Sequence, residues 1–216
     1  TPDHPGLFAS VAGALALAGA SVVDAKVMTL TNGMVLDMFW IQDSDDHAYA
    51  AKDRLKRLRG RIETALTGRL LSAKELAAAQ EASMKKRTGV FKVPPRVLID
   101  NKASNRLTVI EINGRDRLGL LHDVTAFLTA SGLQISSAHI STYGERVIDV
   151  FYVKDVFGLK VDNEEKLNAL RTGLLEVVSS GTGPDKASKK TKEAGKKRAQ
   201  SSDGEARQAK GEASPA

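Results

Sequence analysis

The chain has no cysteine among its 216 residues. Disulfide bridges, thiolate nucleophiles and thiolate metal ligands are therefore excluded, and a reducing compartment, the cytoplasm, is the expected location. Long membrane-spanning runs are also lacking. The apolar stretch 7–20 has helical periodicity, follows no basic segment and is too short to cross a bilayer. The sequence thus favours a cytoplasmic protein with no membrane partner.

Large apolar side chains are missing from the C-terminal end. From Ser179 onward there is no Val, Ile, Leu, Met or aromatic residue. Such a segment cannot bury enough surface to offset the entropy of ordering it, so residues 180–216 are predicted to be a disordered basic tail. This tail has nine Lys/Arg and five acidic residues, and so holds +4 of the net charge of +6. The rest of the chain is close to neutral, which argues against a nucleic-acid partner.

An internal repeat organises the remaining residues. A shift of 113 positions superimposes the first part of one copy on the other, and a shift of 112 superimposes the part after the turn. The matched pairs include Asp3 with Asp116, Gly6 with Gly119, Val11 with Val124, Leu15 with Leu128, Gly19 with Gly132, Ala25 with Ala138, Asp37 with Asp149 and Phe39 with Phe151.

Each copy is predicted to contain a helix, two strands joined by a tight turn, and a second helix. The predicted elements are 7–18, 23–27, 34–41 and 47–70 in the first copy, and 120–131, 138–140, 147–153 and 162–178 in the second. Strands are also predicted at 96–100 and 106–113, and a helix with a capping box at 72–82. The expected domains are therefore 1–70 and 96–179, with a helix and basic linker at 71–95 between them.

The second strand of each hairpin is apolar on both faces. On one side of the later strand lie Val147, Asp149, Phe151 and Val153, and on the other lie Ile148, Val150 and Tyr152. A strand covered on one face only should alternate between apolar and polar residues. We therefore expect the second face to be covered by the other copy or by a partner subunit.

The loop between the strand at 106–113 and the helix at 120–131 is the strongest candidate for a ligand site. A strand there leads directly into a helix N-terminus, where unpaired N–H groups and the helix dipole favour an anion. Gly114 and Gly119 allow a ligand close approach to the backbone. Asp116 is placed either to cap the helix or to contact a ligand, and the two roles are compatible.

These residues carry a resemblance to a known family. Residues 109–153 resemble an ACT domain, whose ligand loop typically reads Asp-Arg-Pro-Gly-Leu-Leu, and Asp3-His4-Pro5-Gly6-Leu7 resembles a second such loop. The tandem pair, together with Val93-Pro94-Pro95 and the run from Ile99 to Ser104, resembles the C-terminal end of bifunctional uridylyltransferase/uridylyl-removing enzymes that modify the PII nitrogen-signalling protein.

The resemblance implies an α+β fold of two ferredoxin-like (βαββαβ) ACT domains, the first lacking its leading strand. It also implies a regulatory segment that senses an amino acid, glutamine, and controls catalytic domains lying upstream. Those domains would use Mg²⁺ and act on PII, whereas this segment would hold no cofactor and no catalytic residue. The implied ligand-binding residues are Asn113, Gly114, Asp116, Arg117, Gly119 and Leu120 in the second copy, and His4, Pro5, Gly6 and Leu7 in the first.

Other readings remain open. The segment could regulate a different amino-acid-controlled enzyme. The ferredoxin-like topology also occurs in RNA-binding domains, but the strands carrying Phe39, Trp40, Phe151 and Tyr152 lack the interior glycine of the RNA-binding motif, so core packing is the expected role of these aromatics.

Two short motifs resemble catalytic ones. The adjacent His122-Asp123 resembles a phosphohydrolase metal pair but falls inside a predicted helix, and Asp43-Ser44-Asp45 resembles a nucleotidyltransferase pair without the expected Gly-Ser segment. Neither is expected to be catalytic.

Overall fold

A computed structural model describes residues 1–43, 47–67, 73–84 and 93–180. In these residues the chain is α+β, with one six-stranded antiparallel sheet and five helices. The elements in chain order are α1 (Leu7–Leu17), β1 (Ser21–Thr29), β2 (Val35–Gln42), α2 (Lys52–Leu66), α3 (Ala73–Met84), β3 (Arg96–Asp100), β4 (Thr108–Arg115), α4 (Leu120–Ala130), β5 (Leu133–Tyr143), β6 (Arg146–Asp155) and α5 (Glu164–Ser180). Residues 181–216 of the predicted tail, residues 85–92 of the predicted linker and the capping serine at position 72 lie outside the described residues, whereas Ser180, predicted to open the tail, is the last residue of α5.

Most predicted elements are found near their expected positions, but α2 begins later than predicted. His47 was expected to open this helix, which instead starts at Lys52. The reason is local. Asp43 and His47 exchange two hydrogen bonds, one of 2.8 Å from the backbone N–H of Asp43 to the carbonyl of His47 and one of 3.0 Å from the N–H of His47 to Oδ1 of Asp43. The chain therefore turns back at the end of β2 before the helix can begin.

The sheet joins the two repeats edge to edge. Its strand order is β2-β1-β5-β6-β4-β3, so β1 of the first copy pairs with β5 of the second. Ala25 faces Ile140 and Val27 faces Ala138 across this pair. Because Ala25 aligns with Ala138 and Val27 with Ile140 in the repeat, the pairing is self-complementary about Lys26 and His139, as at a two-fold axis. On the helical side α1 packs against α4.

Equivalent backbone contacts recur in the two halves. The N–H of Asp3 donates to the carbonyl of Gly33 at 2.9 Å, and the N–H of Asp116 donates to that of Glu145 at 2.8 Å. In the second half this contact continues into the full ladder between β4 and β6, whereas in the first half only a single bridge, between Pro2 and Met34, stands in the place of that strand. The described first half is thus helix-strand-strand-helix, as the sequence predicted.

The strand order of the second half differs from the predicted βαββαβ. The edge position beside β4 is filled by β3, which precedes β4, and the described residues up to 180 contain no strand after α5. A tight connection explains this. Asp100 Oδ1 accepts the N–H groups of Lys102 and Ala103, and Asn101 Nδ2 donates to the carbonyl of Val161 at 2.8 Å. Because only a short loop joins β3 to β4, pairing these two strands costs little loop-closure entropy.

The face of the sheet opposite the helices is uncovered in the described part of the chain. Leu36, Met38 and Trp40 of β2 are 47%, 39% and 46% exposed. The expectation that the other copy covers this face is therefore wrong, because the two halves meet through the β1 and β5 strand edges and through α1 and α4 instead. Pairing at a strand edge satisfies backbone N–H and C=O groups, and the pattern of side chains in the sequence does not indicate where such pairing occurs.

The helical side holds the core. Ile110, Phe151, Leu128 and Leu174 are fully or almost fully buried there. Helix α5 approaches β4 so closely that a Cβ added at Gly114 would lie 2.4 Å from Val178 Cγ1. No helix among the described residues is long and apolar enough to cross a membrane.

Candidate ligand-binding cavity

A cavity of about 600 Å³ lies between the two halves. One wall is the predicted ligand loop of the second half, from Asp116 to Gly119, with the start of α4. The opposite wall comes from the first half and from α3, and most of its side chains are small. The small residues are Ala12, Ala16, Gly19, Ala20 and Ser21 with Ala79, Ala82 and Ser83, and the larger ones are Val22 and Asp43. The volume lies within the range typical of small-molecule sites.

A second, smaller cavity of about 140 Å³ stands at the corresponding place in the other half. It is lined by the first ligand loop, His4, Pro5, Gly6 and Leu7, and by the end of α4 and the start of β5. The repeat explains the difference in volume. Where the larger cavity has Ala16, Ala20 and Ser21, the smaller has the bulkier Thr129, Leu133 and Gln134.

The start of α4 presents backbone N–H groups to the larger cavity. Gly119 is the N-cap residue with φ 76°, and no side chain caps the helix. The predicted capping role of Asp116 is therefore wrong, because the helix begins at Leu120 and a left-handed glycine makes the turn. The N–H of Leu120 donates to the carbonyl of Arg117 at 3.1 Å. The other N–H groups of the first turn have no intrahelical acceptor, so an anion is favoured here.

Helix α3 closes over this turn. Gln80 Nε2 donates to Asp123 Oδ2 at 3.0 Å, and it would lie 2.5 Å from a Cβ added at Gly119. A side chain at position 119 would therefore displace the side-chain amide of Gln80 from Asp123. The glycine at this position permits both the backbone turn and the close approach of the linker helix.

Arg117 is held rigidly at the edge of the cavity. Its Nη1 donates to Asp123 Oδ2 at 2.6 Å and its Nη2 donates to the carbonyl of Val177 at 3.1 Å. The side chains are only 12% and 2% exposed, so the two charges compensate each other inside the protein. The Nε of Arg117 is buried and has no hydrogen-bond partner among the residues that the structure describes. It remains a donor for an acceptor from outside.

A carboxyl group that the sequence reading did not select also lines the cavity. Asp149 of β6 is 2% exposed, and its Oδ1 accepts a long hydrogen bond of 3.4 Å from the N–H of Ser141. Burial and, to a smaller extent, the nearby charge of Asp116 together raise the pKa of Asp149 to about 8, although the hydrogen bond from Ser141 lowers it. The aligned Asp37 behaves similarly, since burial raises its pKa to about 6. The sequence did contain a signal for this residue, because both repeats have an acidic residue on the inward face of an otherwise apolar strand.

The structure brings four of the six predicted residues of the second loop together. Asp116, Arg117, Gly119 and Leu120 line the larger cavity, whereas Asn113 and Gly114 do not. Asn113 lies on the uncovered face of the sheet, where it donates to Glu111 at 2.7 Å and accepts from Arg146 at 3.2 Å. Gly114 contacts α5 instead.

The described residues of the two motifs that resemble catalytic ones make contacts within the fold. Asp123 bonds to Arg117, Gln80 and His122, and Asp43 lies 3.5 Å from Arg54 and 3.9 Å from His47. The other two residues of the second motif, at 44 and 45, are outside the described residues. Within the described ranges no group of three or more His, Cys, Asp or Glu residues could hold a metal ion.

The four aromatics proposed as a stacking platform are divided between the two faces. Phe151 is fully buried and Phe39 stacks on Phe8 at 5.8 Å, which confirms their role in packing. Tyr152 and Trp40 lie on the other face, Tyr152 against His139 and Trp40 under the ammonium of Lys26. For Trp40, which is 46% exposed, the core-packing prediction is wrong.

Comparison with known proteins identifies the class. Residues 103–179 match the ACR family N-terminal ACT domain, so the second half of the chain is an ACT domain. This agrees with the loop, the helix start and the antiparallel sheet described above.

The chain as a whole is similar to bifunctional uridylyltransferase/uridylyl-removing enzymes, as its motifs indicated. It is 53% identical to that of Gluconobacter oxydans and 56% identical to that of Azospirillum brasilense, each over 178 residues. It is 50% identical to that of Rhodospirillum rubrum over 186 residues. These matches cover 82%, 82% and 86% of the chain but only 19%, 19% and 20% of the relatives, so the chain spans about a fifth of their length.

Proposed function

We propose that this chain is the amino-acid-sensing region of a bifunctional uridylyltransferase/uridylyl-removing enzyme, that it binds glutamine in the larger cavity, and that residues 1–67 are a second ACT-type unit. The observation that carries the proposal is the cavity itself, which combines an uncapped helix start and a buried carboxyl group in one space between the two halves. The equivalent backbone contacts of Asp3 and Asp116 support the second unit.

The lining of the cavity suits a free amino acid. The α-carboxylate would accept from first-turn N–H groups of α4 and from Nε of Arg117, which has no partner within the described part of the chain. The side-chain amide of glutamine would reach the polar groups of the opposite wall, which include Ser21 and Ser83. A site that pairs both the oxygen and the nitrogen of an amide rejects ligands lacking it, because its own polar groups would be left unpaired.

The position of the cavity supports a regulatory role. Its walls come from both halves and from α3, which precedes the linker to the second half. A ligand that contacts all three favours the arrangement in which they are closed around it. Regulation requires only that glutamine bind two arrangements with different affinity, a coupling that is typically about 1–3 kcal/mol.

Calorimetric titration of the whole chain tests this proposal. Glutamine is expected to bind with one site per chain, because the smaller cavity is too filled to accept it, and glutamate is expected to bind more weakly. Saturable binding of a different amino acid, with none of glutamine, would favour an ACT region of another amino-acid-controlled enzyme. Salt-dependent binding of single-stranded RNA, with no measurable binding of any amino acid, would favour the RNA-binding alternative.

The resemblance extends the proposal to the parent protein. Its catalytic domains would use Mg²⁺, act on PII in response to nitrogen status, and work in the cytoplasm. The exposed side chains of the β2 hairpin would make domain-domain or homo-oligomer contacts there. Uridylylation of PII by the full-length protein, measured with and without glutamine, checks this larger proposal. An effect of glutamine that disappears when the cavity is blocked would support it, and a persistent effect would contradict it.

A further inference from the structure

The burial of Asp149 has no explanation within the fold. It lies on the inward face of β6, where the other inward side chains, Val147, Phe151 and Val153, are all apolar. Its hydrogen bond from Ser141 is long, and the charged side chain that affects its pKa within the described part of the chain, Asp116, is of the same sign. A buried carboxyl group without a good partner destabilises the folded state. A cationic partner from outside the chain would compensate for that burial.

The charges around Asp149 point to the same partner. The titratable groups lining its cavity are Asp116 and Arg117 from the loop and Asp43 from the segment after β2. The linings that come from α1, β1, α3, α4 and β5 have no titratable side chain. Arg117 lies against Asp123, and Asp43 lies 3.5 Å from Arg54, so these two lining groups are each paired with an opposite charge. A cation next to β6 would meet the carboxyl group of Asp149, which is buried in the cavity wall.

We infer that Asp149 binds the α-ammonium group of the amino-acid ligand and thereby fixes its orientation in the cavity. The ligand's carboxylate then lies at the start of α4, and its side chain points towards the small residues Ala16, Ala20 and Ser21 of the first half. This assignment rests on the proposed function. It adds a requirement of its own: a ligand that has the carboxylate and the amide but no ammonium group binds poorly.

Binding should also release a proton. Because the pKa of Asp149 is about 8 in the free chain, the carboxyl group is protonated at pH 7. A ligand ammonium in contact with it favours the ionised form and lowers this pKa. Roughly one proton should therefore leave for each ligand bound at pH 7. Calorimetry in two buffers of different ionisation enthalpy measures that number.

The decisive experiment compares two ligands on three proteins. The ligands are glutamine and glutaramate, which is glutamine without its α-ammonium group, and the proteins are the whole wild-type chain, Asp149→Asn and Asp37→Asn. Asp37 is the matched control, since it holds the equivalent position in the first half and does not line the larger cavity. Thermal melts of all three proteins show whether each remains folded.

In Asp149→Asn the affinity for glutamine should fall by about 10- to 100-fold, the value for a hydrogen bond between charged groups. The affinity for glutaramate should not change, Asp37→Asn should behave as wild type, and the proton release should vanish in Asp149→Asn alone. An equal loss for both ligands, or wild-type binding of glutamine without proton release, would overturn the inference while leaving the proposed function intact. No binding of glutamine to the wild-type chain would overturn the proposed function and this inference with it.

Discussion

Asp149→Asn should change how the stability of the ligand-free chain depends on pH. The pKa of the folded carboxyl group is about 8, whereas an unfolded aspartate titrates near 3.9. Between these values the folded chain holds a proton that the unfolded chain has released, so a rise in pH favours unfolding. Each pH unit in this window is worth about 1.4 kcal/mol. From pH 5 to pH 7 the wild type should therefore lose about 3 kcal/mol that the asparagine variant does not lose.

Urea unfolding at pH 5, 6 and 7 without ligand measures this difference. All other groups titrate alike in the two proteins, so the variant minus wild-type free energy of unfolding isolates Asp149. That difference should grow steadily with pH in favour of Asp149→Asn. Asp37→Asn should show a smaller growth that ends near pH 6, because the pKa of Asp37 is about 6. Parallel pH curves for wild type and Asp149→Asn would show that the buried carboxyl group is already ionised in the folded chain, and would refute the reasoning.

Three further substitutions test the walls of the cavity. Arg117→Met should lower the free energy of unfolding by about 3–5 kcal/mol in urea denaturation at pH 7, because it leaves the buried Asp123 without its cation; an unchanged stability would mean that the ion pair contributes nothing. Gly119→Ala should lower the melting temperature more than Gly33→Ala does. Both glycines have a positive φ, but only the Cβ added at 119 would meet a side chain of α3, at 2.5 Å. Equal decreases in melting temperature would show that this side chain of α3 does not restrict position 119. Ala20→Leu introduces the residue found at the equivalent position of the smaller cavity and should weaken glutamine binding at least ~10-fold in calorimetry, as a filled pocket excludes its ligand; wild-type affinity in a folded variant would place the ligand elsewhere.

Sequence periodicity located the elements well. The apolar spacing from Leu7 to Leu15 and its repeat from Leu120 to Leu128 predicted α1 and α4 because a helix must bury one stripe of side chains. The glycines at 19 and 132 marked the ends of these helices, since both adopt positive φ. The ligand loop was found by the same local logic, and four of its six predicted residues do line the cavity. The boundaries between domains remain predictions.

The tertiary structure decided what the two halves do together. Pairing of β1 with β5 depends on backbone groups that every residue carries, so no side-chain pattern could indicate it. The volume of the cavity depends on Ala16 and Ala20, whose small size only matters because the loop of the other half lies opposite them. Asn113 was misplaced by sequence reasoning because a strand sends alternate side chains to opposite faces, and register set which face it took. By itself the sequence predicted two repeats and a turn between a strand and a helix that favours an anion. Only the fold placed that turn and Asp149 in the walls of one cavity, because contacts between distant segments are fixed by packing and not by local propensity.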